Sequence, residues 1–136
     1  MSERMKMLKE VAICADKFPK KTESLGGIAT EAFGNKHKAQ IKSLENIANT
    51  ALKVSDVLDY IKRQTGKSEQ DKRWKSKQLG ERLLNEIREH LKKDRDTVCK
   101  RLNITAEENQ LEVYLLLIRE FVRQVVIHYE YEISKL

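Results

Sequence analysis

In every long segment of this chain the apolar residues return at every third or fourth position. Nowhere do they alternate with polar residues for long enough to build a strand. That pattern predicts an all-α fold, a compact helical bundle of about five to seven helices with no sheet, formed as a single domain over residues 1–136. The first helix is expected from Ser2 to Phe18, capped by Ser2 and ended by Pro19. A short helix from Ile28 to Phe33 is expected between Gly26-Gly27 and Gly34. One long helix follows, from Lys36 to about Gln64. Its stripe of Ile41, Leu44, Ala48, Ala51, Leu52, Leu58 and Ile61 is widened by Ile47, Val54 and Val57. Beyond Gly66 and the polar linker TGKSEQDKR, a helix from Lys72 to Lys93 carries Leu79, Leu83, Ile87 and Leu91 at four-residue spacing. A short helix from Arg95 to Leu102 comes next. Thr105-Ala106-Glu107-Glu108 has capping-box form and opens a last helix from Ala106 to about Ser134. The residues at the centres of these stripes, Ile47, Leu52, Leu58, Leu83, Ile87, Leu115, Ile118 and Val122, are the expected core.

Charge is distributed unevenly. Eleven of the 27 Lys and Arg lie between Lys36 and Lys77 against five of the 21 acids, so this stretch holds the whole net charge of +6 and the remainder is balanced. Clustering of that kind points to an anionic partner, with a solvated Lys-rich face as the alternative. Lys38, Lys42, Lys62, Arg63, Lys67, Lys72, Arg73 and Lys75 are the candidate contacts to nucleic-acid phosphates. Trp74, between Arg73 and Lys75, is the one ring interleaved with charge. It reads either as a base-stacking platform or as a cover for the end of the core with the lysines snorkelling past it.

Motifs for chemistry do not appear. His37, His90 and His128 lack the spacing of a helical metal site, and Cys14 and Cys99 fall on apolar helix faces as small core residues. Gly26-Gly27 has no phosphate-loop lysine after it, and neighbouring acids such as Glu107-Glu108 read as solvated charge. The expectation is therefore a non-enzyme without metal or cofactor. The charged start MSERMKMLKE, the widely spaced cysteines and the lack of any apolar run near the ~20 residues that cross a bilayer predict a cytoplasmic chain without membrane contact.

The stretch KAQIKSLENIANTALKVSDVLDYIKRQTGK and, after a gap, WKSKQLGERLL resemble the small subunit of type III-B (Cmr-type) CRISPR effector complexes. The likeness rests on Lys38 and Lys42 ahead of Leu44, Ile47 and Leu52, on Leu58-Asp59-Tyr60, on Gly66-Lys67, and on Trp74 opening a helix after a polar loop. Tyr114, Leu117 and Glu120, with Arg119 and Arg123, continue it. It covers residues 36–84 and 111–134. The chain departs from the pattern at Ala51, where the family usually has Gly, and at Val126, Ile127 and His128, where it commonly carries Trp and a Lys-Arg pair. Small subunits of other type III and type I effectors share the same short, basic, helical character. The resemblance implies a non-catalytic subunit of an antiviral ribonucleoprotein. Its partners would be the other effector subunits, single-stranded target RNA held by the basic face, and further copies of itself along a filament. The bottom-up alternative is a helical adapter that docks on a protein through an exposed apolar patch.

Overall fold

The computed structural model describes residues 2–67 and 72–136. Among them every regular element is helical: α1 (Glu3–Ala15), α2 (Pro19–Phe33), α3 (Lys38–Thr50), α4 (Val54–Gly66), a 3-10 segment (Arg73–Gln78), α5 (Leu79–Asn85), a π segment (Glu86–Leu91), α6 (Lys92–Arg101) and α7 (Glu107–Ser134). The all-α bundle follows from the apolar periodicity, and no strand occurs among the described residues.

α7 is the axis of the bundle. At ~1.5 Å per residue its 28 residues run about 42 Å. Val113 to Ile118 are buried consecutively, so this part of the helix is covered on all sides. α1, α2, α3 and α6 pack around it. α2 comes closest. A Cβ added at Gly26 would lie 2.6 Å from the Cβ of His128 and about 3 Å from the Tyr129 nitrogen and the Val125 oxygen, so glycine at this position sets the helix spacing. Polar groups lock the same contact. The buried Thr22 hydroxyl lies 3.2 Å from Gln124 Oε1, the Gln124 amide donates to the Ala15 carbonyl at 3.1 Å, and the Tyr129 hydroxyl donates to the Gly34 carbonyl at 2.6 Å. Buried donors and acceptors are thereby paired at both ends of α2.

Several boundaries differ from the sequence expectation. α1 stops at Ala15, and Pro19 is the first residue of α2, where a missing N–H costs nothing. α2 runs unbroken through Gly26-Gly27, and Gly26 packs against α7 rather than ending the helix. The single helix expected over 36–64 is two. Ala51 and Lys53 are extended, and the chain turns between α3 and α4. A straight helix would have spread the widened stripe around too much of its circumference for one neighbour to cover. The turn folds Ile41, Leu44 and Ala48 and then Val57 and Ile61 onto the core separately, and Arg119 of α7 donates to the Ala48 carbonyl left open at the end of α3. Leu52, an expected core residue, instead stands at the turn with 84% of its surface exposed, and Ile47 and Leu58 are only partly buried. Leu83, Ile87, Leu115, Ile118 and Val122 are buried as expected.

The helix expected from Lys72 opens as a 3-10 segment that ends in left-handed Lys77 and Gln78, and regular helix begins at Leu79. From there residues 79–101 form one rod, so the separate helix expected at Arg95 is its continuation. Leu79, Leu83, Ile87 and Leu91 recur every four residues, longer than the ~3.6-residue turn. An α-helix would carry that stripe off the core, and the wider π turn over Glu86–Leu91 brings it back. The Tyr114 hydroxyl donates to the Ile87 carbonyl inside that turn at 2.6 Å. At α7 the capping box does not form. Ala106 is the cap residue and makes no side-chain bond, while Glu107 and Glu108 complement the helix dipole. Of the polar linker, residues 68–71 lie outside the described residues.

Candidate nucleic-acid interface

The eight candidate cations fall into three groups. The first gathers where α3 begins. Arg73 Nη2 lies 2.7 Å from His37 Nε2, and since a guanidinium only donates, the ring nitrogen is the acceptor. Trp74 anchors the same turn. It is 1% exposed, donates through Nε1 to Gln40 Oε1 at 2.7 Å, and packs edge-on against Phe33 and Tyr60. Tyr60 in turn donates to the Gln40 carbonyl at 3.2 Å. These bonds set Lys72, Arg73 and Lys75 against the start of α3, where Lys38 stands exposed. Trp74 is therefore a core residue, and its ring is not offered to a base.

The second group lies on α4. Lys62 and Arg63 are exposed on the side of the helix away from Val57 and Ile61, and Lys67 is exposed at its C-cap. Arg63 and Lys67 share a groove of about 460 Å3 with Tyr60, Asp56 and Asp59. Two acids face two bases there, so a strand following that groove meets no net charge. The outer face beside it, with Lys62, carries the excess.

Lys42 stands apart. Its ammonium lies 3.1 Å from Glu130 on α7 and 3.5 Å from Glu45. The hydrogen bond to Glu130 is the main cause of a lysine pKa raised above its usual value, against a smaller opposing effect of burial. Its charge is balanced within the molecule. By contrast, Lys38, Lys62, Arg63, Lys67, Lys72 and Lys75 form no ion pair among the described residues. Of these, Arg63 and Lys67 share their groove with Asp56 and Asp59, while Lys38, Lys62, Lys72 and Lys75 do not line it.

Chemistry elsewhere is sparse. Among the described residues no group of three or more His, Cys, Asp or Glu is placed to hold a metal ion, and no helix is long and apolar enough to cross a membrane. Cys99 is buried and Cys14 is partly buried. Burial pushes both thiols upward, with Asp94 adding to the effect at Cys14, so both stay protonated at neutral pH. Sequence reasoning passed over one set of cations, Lys20, Lys21 and Arg82, which the fold brings to a shared groove between α2 and α5. The adjacent lysines after Pro19 were the available signal, and the balanced charge of the surrounding sequence hid it. Comparison with protein-family models, with curated proteins and with solved structures returned no match.

Proposed function

We propose that this chain is a non-catalytic RNA-binding subunit of a ribonucleoprotein, of the kind found as the small subunit of type III-B CRISPR effectors. In this reading Lys38, Lys72, Arg73 and Lys75 at the start of α3, with Lys62, Arg63 and Lys67 on α4, hold the phosphate backbone of single-stranded target RNA without reading its bases. The observation that carries the reading is the contrast in counter-charge. The segment 36–77 carries the whole net charge, and six of its candidate cations have no ion-pair partner among the described residues of the helical frame. Each contact is weak alone and becomes strong when copies line up along one strand.

The test is fluorescence anisotropy with a labelled single strand across a salt series. Lys38→Glu, Arg63→Glu and Lys75→Glu together reverse three exposed charges that make no ion pair or side-chain hydrogen bond among the described residues. Binding should fall at least about tenfold at low salt and the dependence on salt should flatten, because fewer counterions are released. Unchanged affinity and slope in the triple variant would end the proposal. A helical adapter remains the second reading, favoured by one observation: Leu52 and Leu111 are exposed beside Leu115, Leu116 and Arg119 in a groove of about 350 Å3. That reading expects Leu52→Glu to abolish docking on a protein partner while RNA affinity stays unchanged.

A further inference from the structure

Along the chain, the residues outside 36–77 balance in charge, but folding sorts their side chains unevenly. α2 runs antiparallel to the stretch 73–91: Phe33 packs on Trp74, Glu31 pairs with Lys77 at 2.6 Å, and Lys21 pairs with Glu86 at 3.2 Å. Between them lies a groove of about 440 Å3 walled by Lys20, Lys21 and Ser24 from α2 and by Arg82, Asn85 and Glu86 from the facing rod. That volume lies within the range of small-ligand sites, roughly 300–1,000 Å3.

The groove has one acid, and that acid is occupied. Glu86 accepts from Lys21 and lies 3.1 Å from His90 Nδ1, and Lys20 and Arg82 have no ion-pair partner among the described residues. Arg82 is also aimed. Its Nε donates to the Lys77 carbonyl at 3.0 Å, and the left-handed backbone at Lys77 and Gln78 sets where that carbonyl points. With Nε committed, the planar guanidinium keeps both terminal amino groups for another acceptor. Among the described residues, the side chains of Lys20, Ser24 and Asn85 hold no hydrogen bond or ion pair. An ammonium, a hydroxyl, an amide and a held guanidinium thus converge from two walls.

We propose that this groove binds a phosphate group. A phosphate offers several charged acceptor oxygens in a tetrahedral arrangement and can accept from both walls at once, and Arg suits its geometry bidentately. The site is separate from the basic face described above and stands whether or not that face binds RNA. Its ligand is a free phosphate compound or a phosphate of a strand.

The full chain, labelled with 15N, is titrated by NMR with inorganic pyrophosphate and, separately, with a short single-stranded RNA. Saturable shifts are expected at Lys20, Ser24, the Asn85 side-chain amide and the Arg82 Nε–H. In a Lys20→Glu, Asn85→Ala variant, which changes only exposed side chains, affinity should drop at least about tenfold, the usual scale for losing charge-assisted bonds. Arg82→Lys keeps the charge but loses the held fork, and should weaken binding less than the double variant. Tighter response to RNA than to pyrophosphate assigns the ligand to a strand, and the reverse assigns it to a free phosphate compound. The Lys38→Glu, Arg63→Glu, Lys75→Glu triple variant should leave the pyrophosphate shifts in place, which separates this site from the basic face. Absence of saturable shifts with either probe, or shifts that persist at equal affinity in the double variant, would overturn the proposal.

Discussion

α7 buries twelve of its 28 residues, whereas α4 buries two of its 13. The first is held by four other helices and by partly buried hydrogen bonds at Thr22, Gln124 and Tyr129. The second rests on Val57 and Ile61 and gives its outer side to Lys62, Arg63 and Lys67. The difference shows a division of labour. One half of the molecule makes stability, and the other uses it to present charge that has little to do with stability. Trp74 is where the two meet: a buried ring, bonded to Gln40, that pins the charged turn 72–75 to the core.

The largest effect should come from opening the axis. Leu117 is fully buried, and Leu117→Ala should cost about 2–5 kcal/mol through lost burial and the cavity left behind. Urea unfolding followed by circular dichroism measures it, and a cost near zero would mean that α7 is not the axis. Next is the α2–α7 contact. Gly26→Ala should cost about 1–3 kcal/mol, because the atoms in the way are backbone and Cβ and cannot swing aside. Its neighbour is the control. A Cβ at Gly27 meets nothing within 4 Å, so Gly27→Ala should be neutral or stabilise by up to about 1 kcal/mol. Equal effects at the two glycines would dissolve the distinction between a packed and an open face of α2.

Trp74→Phe tests the junction. It leaves the Gln40 amide oxygen without its indole donor and removes part of a buried ring, for a loss of about 1–3 kcal/mol. It should also weaken RNA binding more than its stability loss explains, if the anchor holds Lys72, Arg73 and Lys75 in place. The comparison is read from unfolding and anisotropy on the same variant. The smallest effect belongs to the turn. Leu52→Ala removes a side chain that is 84% exposed, and should change stability by less than about 0.5 kcal/mol. A cost of several kcal/mol would restore Leu52 to the core and make α3 and α4 one helix.

Legibility followed burial. Leu83, Ile87, Leu115, Ile118 and Val122 were readable because each sits at the centre of a stripe with one clear face. Leu52 was not, since a leucine in a helical pattern looks the same whether the helix continues or turns, and the extended backbone at Ala51 and Lys53 leaves no glycine or proline as a mark. The capping box at Thr105 failed for a similar local reason. The helix starts one residue later than the motif requires, so the hydroxyl does not meet the N–H it would cap.

The candidate site divides along the same line. Helicity, the Ser2 cap of α1 and the net charge between Lys36 and Lys77 were legible residue by residue, because periodicity, cap chemistry and charge are properties of chain neighbours. Tertiary structure decided which of those charges are balanced within the fold. Glu130, 88 positions beyond Lys42 in the chain, balances that lysine. His37 fixes Arg73 across 36 positions, and a groove between α2 and α5 collects Lys20 and Arg82 from stretches that look neutral in order. Coulomb interactions act through space, so their partners are set by packing and cannot be read along the chain.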